Sequence, residues 1–475
     1  MRRKWWERVL ESIADRGREL LDGRPNRMRI DTLEDLCVAL LSERGEASGT
    51  AIARDVIQRY AGMGAGDRAE FLEMLQRRFG ADPREIDRAA ARYRDARDLE
   101  SFLALTAAVE PPRQELFRRL NMAPRATVAL VDMRARLLDL LPERPHLRAV
   151  DADLKHLLSS WFNRGFLQLE RIDWHTSAVV LEKLINYETV HEIKDWDDLH
   201  RRLERDRRCF AFMHPALPDE PLIFVEVALV RGTPSEVQPL LDPKAPVATP
   251  ETADTAVFYS INNTLQGLRG VSFGNFLIKQ VVAELSAEFP RLKTFVTLSP
   301  LPLFARTLRA AVNASGETTA NRRYESLLAA AARELKQEEV PTDLGKLIEI
   351  AQGTTAPQRA ALGPALRALA LGYLTLSHSG NDGVIDPVAR FHLSNGARLE
   401  RINVYADNSD RGMRNAFGVM VNYLYDLESV EDNHEKFVAN GEIAMSRSLA
   451  RDLKVLREAW ASADPVPESR TAATP

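Results

Sequence analysis

Cysteine is scarce: Cys37 and Cys209 are the only two in a chain of 475 residues. They stand far apart among apolar neighbours, so neither a disulfide framework nor a cysteine metal site is available. Both are expected as reduced core residues of a cytoplasmic protein. No apolar run reaches the ~18 residues that suggest a membrane span. The best candidate, Leu222 to Val230, is short and carries Glu226. An excess of one charge is missing too: the net charge is −4, so no global field recruits nucleic acid or an anionic membrane. The histidines are scattered, His392 lacks the His/Glu spacing of a zinc site, and no metal is expected. No Gly-x-Ser-x-Gly elbow occurs, which argues against a hydrolase nucleophile. Met1 to Leu21 is Arg-rich and amphipathic, but Glu7, Glu11, Asp15 and Glu19 speak against a transit peptide and for an ordinary surface helix. The chain ends without a recognised targeting tripeptide.

The remaining composition, 45% hydrophobic and 28% charged, is enough to bury sizeable cores, and the length favours two or three domains. Residues 1–165 read as helix after helix without a fixed repeat, so a packed bundle is expected rather than a solenoid. Start signals recur: Asp31 before Glu34 and Asp67 before Glu70 resemble capping boxes, and Asp82-Pro83-Arg84-Glu85 opens a helix. After about residue 170 the pattern changes. Phe210 to His214 and Leu222 to Val230 suggest a hairpin around the prolines between them. Thr255 to Ser260 and Lys293 to Leu298 read as strands flanking a helix over Val271 to Phe289. Residues 320–375 are helical again with a break at Gly353 to Pro357, and strands return at Arg401 to Tyr405 and Phe417 to Tyr425. The expected fold class is α+β. An all-α bundle over 1–165 precedes a mixed-sheet domain over 166–461, with a helical insertion at about 320–375 and a disordered tail over 462–475.

Four places carry residues suited to chemistry. Arg269-Gly270-Val271-Ser272-Phe273-Gly274-Asn275 follows a strand and opens a helix, where free backbone N–H groups can cradle a phosphate. Ser299 ends a strand before Pro300, whose fixed φ and missing donor are expected to stop the strand pairing there. His392 lies in a short apolar run just before Asn395-Gly396, and imidazole titrates near neutrality, as a proton donor must. Asn422 and Tyr425 sit near a strand end and are candidate pocket residues.

The loop Arg269 to Asn275 resembles the pyrophosphate loop of GNAT-type acetyltransferases, with Ser272 at a position where a middle glycine is common. Taken with Phe258 to Ile261, Gln266 to Val271, Phe276 to Lys279, Glu288 to Pro290, Thr297 to Pro302, Phe391 to Ala397, Arg401 to Asn403 and Asn422 to Tyr425, the chain resembles malonyl-CoA decarboxylases over roughly residues 170–460. The resemblance implies a helical N-terminal domain used in self-association, as a homodimer or homotetramer, and a GNAT-like catalytic domain. It implies conversion of malonyl-CoA to acetyl-CoA and carbon dioxide, with no cofactor beyond the coenzyme A that the substrate carries. Ser299 and His392 match the family's catalytic serine and histidine, Tyr425 an active-site tyrosine, and Arg269 to Asn275 the coenzyme A loop. At Ser272 some relatives carry an acid. The competing readings are a GNAT-type N-acyltransferase using the same cradle and a non-catalytic acyl-CoA sensor.

Overall fold

A computed structural model describes residue 13 and residues 32–42, 45–271, 277–313, 318–335, 341–352, 356–377 and 386–463. The expected N-terminal surface helix falls almost wholly outside them, as does the expected tail from residue 464 onward. Two compact units are distinguished. One comprises Met1–Gln168, Phe212–Leu222 and Asn263–Gly274; the other comprises Leu169–Ala211, Ile223–Asn262 and Asn275–Pro475.

The first unit is built on helices Leu33–Ser42, Glu46–Ala61, Ala65–Arg78, Pro112–Leu120, Ala126–Leu140 and Arg148–Trp161, whose apolar stripes meet in one core. Asp82 caps the helix Pro83–Ala96 by accepting from the Arg84 N–H, as its sequence signals. The other two start signals are shifted. The capping box is Thr32 with Asp35, each side chain accepting from the other's backbone N–H. Asp67 lies inside the first turn of a helix that starts at Ala65 after Gly64, where its charge still complements the helix dipole. Helices Pro83–Ala96 and Leu99–Val109 pack on each other and bury almost none of their own residues.

An eight-stranded sheet runs in the order β1-β2-β3-β4-β5-β8-β6, with β7 also pairing β8. The strands are β1 Gln168–Ile172, β2 Arg207–His214, β3 Leu217–Val230, β4 Thr255–Asn263, β5 Thr294–Thr297, β6 Ser299–Pro300, β7 Arg398–Asn403 and β8 Met420–Leu424. The turn between β2 and β3 is tighter than the prolines suggest, because Pro218 and Pro221 lie within β3. β4 and β5 are parallel, with Phe258 opposite Thr297, and helix Leu277–Glu288 makes the crossover. That is the strand–helix–strand arrangement expected around the cradle. β8 is antiparallel to β5, β6 and β7, so the sheet is mixed.

Pro300 does not end the pairing, contrary to expectation. The strand is interrupted at Leu298, whose N–H still bonds the Phe258 carbonyl of β4, and resumes in the same register as β6, with Ser299 opposite Val421 and Pro300 opposite Met420. β6 closes the order of the sheet, and an edge tolerates a residue without an N–H. The expected insertion forms helices Thr319–Leu335, Leu344–Gln352 and Ala356–Thr375, which pack with Phe304–Asn313 and Arg447–Ser462.

Candidate active site

Alternation along the strands sorts the residues of the second unit by face. Val257, Tyr259, Val296, Leu298 and Met420 share one apolar cluster. The alternate residues Phe258, Thr297, Ser299, Tyr423 and Tyr425 fall on the opposite face, where the Phe258 and Tyr425 rings lie 6.3 Å apart. Against that face comes helix Pro387–Ser394, which carries His392 in its last turn. Asp386 accepts from the Val388 and Ala389 N–H groups at 3.0 and 3.1 Å, and Pro387 occupies the first helical position. Tyr373, from the inserted helices, donates its hydroxyl to Asp386 at 3.0 Å. The helix ends at Asn395-Gly396. Gly396 has φ +79°, and a Cβ there would sit 1.8 Å from the Val430 carbonyl oxygen, so only glycine fits.

This framework holds a buried hydrogen-bond chain. Ser299 Oγ lies 2.9 Å from His392 Nε2, and His392 Nδ1 lies 2.8 Å from the Tyr425 hydroxyl. Ser299 also donates to Thr297 Oγ1 at 2.9 Å. The Tyr423 ring stacks on the imidazole, with centroids 4.6 Å apart and an interplanar angle of 24°. Burial pushes the His392 pKa down from 6.5 to about 3 and raises those of Tyr423 and Tyr425 well above the ordinary tyrosine value. The imidazole is therefore neutral at pH 7, with one ring nitrogen donating and the other accepting. Burial also raises the Asp386 pKa, against the hydrogen bonds it accepts. Both ring nitrogens are taken by hydroxyls, so His392 lacks the carboxylate partner of a Ser-His-Asp triad. The arrangement suits passing or orienting a proton rather than making serine a nucleophile.

Of the residues expected from sequence, Ser299, His392 and Tyr425 come together. Asn422 stands behind them: its amide donates to the Thr297 carbonyl at 2.8 Å and accepts from Arg401 and Asn403. Arg269, Gly270 and Val271 belong to the first unit, while Ser272, Phe273, Gly274 and Asn275 lie outside the described residues. The described arm of the cradle is held by Arg134, a buried residue paired with Asp151 at 2.8 Å. It donates to the carbonyls of Gly267 and Arg269 at 2.7 and 2.9 Å. Gly270 has φ +75°, and a Cβ there would stand 3.5 Å from the Lys155 ammonium nitrogen. Sequence reasoning missed Thr297, Tyr423, Tyr373 and Arg134. The first two carry a legible signal, since each lies two residues from a site residue on the same strand face. The last two act across long sequence separations and carry none.

Comparison with known proteins gives the family. The malonyl-CoA decarboxylase C-terminal domain family matches residues 165–463, and the N-terminal domain family matches residues 79–162. The mitochondrial malonyl-CoA decarboxylase of Rattus norvegicus is 35% identical over 427 residues, covering 86% of each chain. That of Anser anser anser is 34% identical over 413 residues, covering 83% of this chain and 82% of its own. The crystal structure of malonyl-CoA decarboxylase from Rhodopseudomonas palustris superposes with a TM-score of 0.80 at 46% identity, covering 90% of this chain and all of that one. The Agrobacterium vitis structure gives 0.77 at 47% identity, covering 88% and 99%. With both domain families matched in order and relatives aligned along most of their length, the chain belongs to the malonyl-CoA decarboxylase family.

Proposed function

We propose that the protein converts malonyl-CoA to acetyl-CoA and carbon dioxide, with Ser299, His392 and Tyr425 as its working residues. The observation that carries the reading is the buried Ser299–His392–Tyr425 chain in a member of this family. Breaking the bond to the carboxylate leaves its electron pair on the α-carbon, where it spreads into the thioester carbonyl as an enolate. Carbon dioxide departs, and the α-carbon takes up one proton drawn ultimately from solvent. The thioester is itself the electron sink, so the protein's task is to stabilise the enolate and deliver the proton. A preorganised donor in a dry site is worth ~2.7–4 kcal/mol toward such a charge. In this reading Ser299 donates to the malonyl carboxylate or the developing enolate, and His392 supplies the proton that passes to carbon.

Ser299→Ala and His392→Asn should each lower kcat by about 10²-fold or more, while coenzyme A still binds. Near-wild-type turnover in either variant would remove that residue from the mechanism. The loop Arg269 to Asn275 is proposed to hold the pyrophosphate of coenzyme A. Supporting this are the positive φ of Gly270 and the grip of Arg134 on the loop's carbonyls. Arg269→Ala should raise KM, and an unchanged KM would remove the assignment.

Self-association as a homodimer or homotetramer through the helical region is part of the same reading. Leu99, Phe102 and Leu103 on helix Leu99–Val109 are 71%, 50% and 56% exposed, an apolar face suited to a second copy. Phe102→Asp with Leu103→Asp should reduce the assembly size in sedimentation, and an unchanged size would exclude this face. Cys37 and Cys209 are buried and unpaired, which fits a reducing compartment, here the cytoplasm. Among the described residues no helix is long and apolar enough to cross a membrane.

A further inference from the structure

Thr297 stands where the ladder of β8 with β5 and β6 is interrupted without a change of register. β5 pairs β8 at Val296 and Leu424, and β6 pairs it again in the same register at Ser299 and Val421, while the Leu298 N–H continues the parallel ladder to the Phe258 carbonyl. Between these points the Tyr423 N–H is received by a side chain, Thr297 Oγ1, at 3.1 Å. The same oxygen accepts the Ser299 hydroxyl at 2.9 Å, so two donors occupy its two lone pairs. Thr297 is fully buried, and its own carbonyl is held by Asn422 at 2.8 Å, so this acceptor is fixed in place.

We propose that Thr297 is a positioning residue that sets the direction of the catalytic hydrogen-bond chain. Serine has a single proton, and one committed to Thr297 leaves Ser299 as an acceptor toward His392 Nε2. The imidazole is then the Nε2–H tautomer, and its Nδ1 lone pair accepts from the Tyr425 hydroxyl. The chain runs one way, from Tyr425 through His392 and Ser299 to Thr297. The consequence for turnover rests on the decarboxylase reading. A substrate oxygen that takes over from Thr297 as acceptor receives the Ser299 proton by a simple rotation about Cβ–Oγ, while His392 continues to donate to Ser299. Without the Thr297 acceptor, the Ser299 proton turns to His392 Nε2, the ring takes the Nδ1–H tautomer, and no hydroxyl proton is left for substrate.

The test uses the full chain with ¹⁵N-labelled histidine, the His392 signals being identified by their loss in His392→Asn. Wild type should show Nε2–H, Thr297→Val should show Nδ1–H, and Thr297→Ser should keep Nε2–H. Turnover of malonyl-CoA should follow. Thr297→Val should lose about 10-fold to 10²-fold in kcat with KM changed less than about threefold, and Thr297→Ser should stay within about fivefold of wild type. An Nδ1–H wild type, a folded Thr297→Val with wild-type tautomer or kcat, or a Thr297→Ser as slow as Thr297→Val would each overturn the proposal. The wild-type tautomer decides even if Thr297→Val does not fold. A wild type that carries Nε2–H but leaves malonyl-CoA intact sinks the decarboxylase reading alone; turnover with Nδ1–H sinks the role of Thr297 alone.

Discussion

Tyr425→Phe removes one oxygen and almost nothing else. The ring keeps its place beside Phe258, but His392 Nδ1 loses its partner at 2.8 Å in a fully buried setting. A neutral hydrogen bond contributes about 0.5–1.5 kcal/mol net, and a buried group left unpaired costs about 1–3 kcal/mol. At about 2–4 °C per kcal/mol for a domain of 150–250 residues, Tm should fall by a few degrees. The rate separates two roles. If the hydroxyl only steadied the imidazole, losing about 0.5–1.5 kcal/mol in the transition state would slow kcat about 2–13-fold. If it belongs to the proton path, kcat should fall about 10²-fold. Steady-state release of carbon dioxide, measured well below the variant's own Tm, reads the difference. A lowered Tm with kcat within about tenfold of wild type would refute the proton-path role and leave Tyr425 as a brace.

The buried imidazole also makes stability pH-dependent. His392 is held at about 3 when folded and returns to 6.5 when unfolded. The unfolded chain therefore binds more protons between these values, and stability is complete above pH 6.5 and lost as pH falls toward 3. Wild type should lose up to about 1.4 kcal/mol per pH unit more than His392→Asn on acidification below 6.5, measured by denaturant unfolding. Gly396→Ala meets both a positive φ and the Val430 carbonyl, so it should cost at least about 2 kcal/mol and disturb the end of the His392 helix, seen as a lowered Tm together with lowered kcat. Arg202 binds Glu226 at 2.8 Å, both buried, and burial holds the Glu226 pKa up at about 7 despite this partner. Arg202→Met should cost about 3–5 kcal/mol, and adding Glu226→Leu should recover much of it, as chemical denaturation would show.

The sequence carries the site unevenly, for physical reasons. Strand alternation makes β4, β5 and β8 legible, and the Gly-rich turn between an apolar run and an amphipathic one marks the parallel crossover. Ser299 and His392 stand out only through their motif contexts, since an isolated Ser-Pro or a lone histidine more often serves structure. Thr297 is legible as a same-face neighbour of Ser299, but its role is not. Its role depends on the ladder opposite Tyr423, whose N–H is taken by the Thr297 side chain, and only the tertiary pairing with β8 shows this. Pro300 misleads for the same reason, because its effect depends on whether its strand lies at an edge. The Asp31 signal fails by one residue, where Thr32 caps instead, and the Asp67 signal by three, where the helix starts after Gly64 without a side-chain cap. Arg134 reaches Gly267 across a separation that no local pattern records. The exposed face of Leu99, Phe102 and Leu103 reads in sequence as one more core stripe, and only the folded unit shows that its own helices leave it uncovered.

The most direct measurement is incubation of the purified full chain with malonyl-CoA alone, with no acyl acceptor. The account predicts acetyl-CoA and carbon dioxide in equal amounts, strongly reduced in Ser299→Ala and His392→Asn. Malonyl-CoA left intact until an amine acceptor is added, or bound without any turnover, would contradict it.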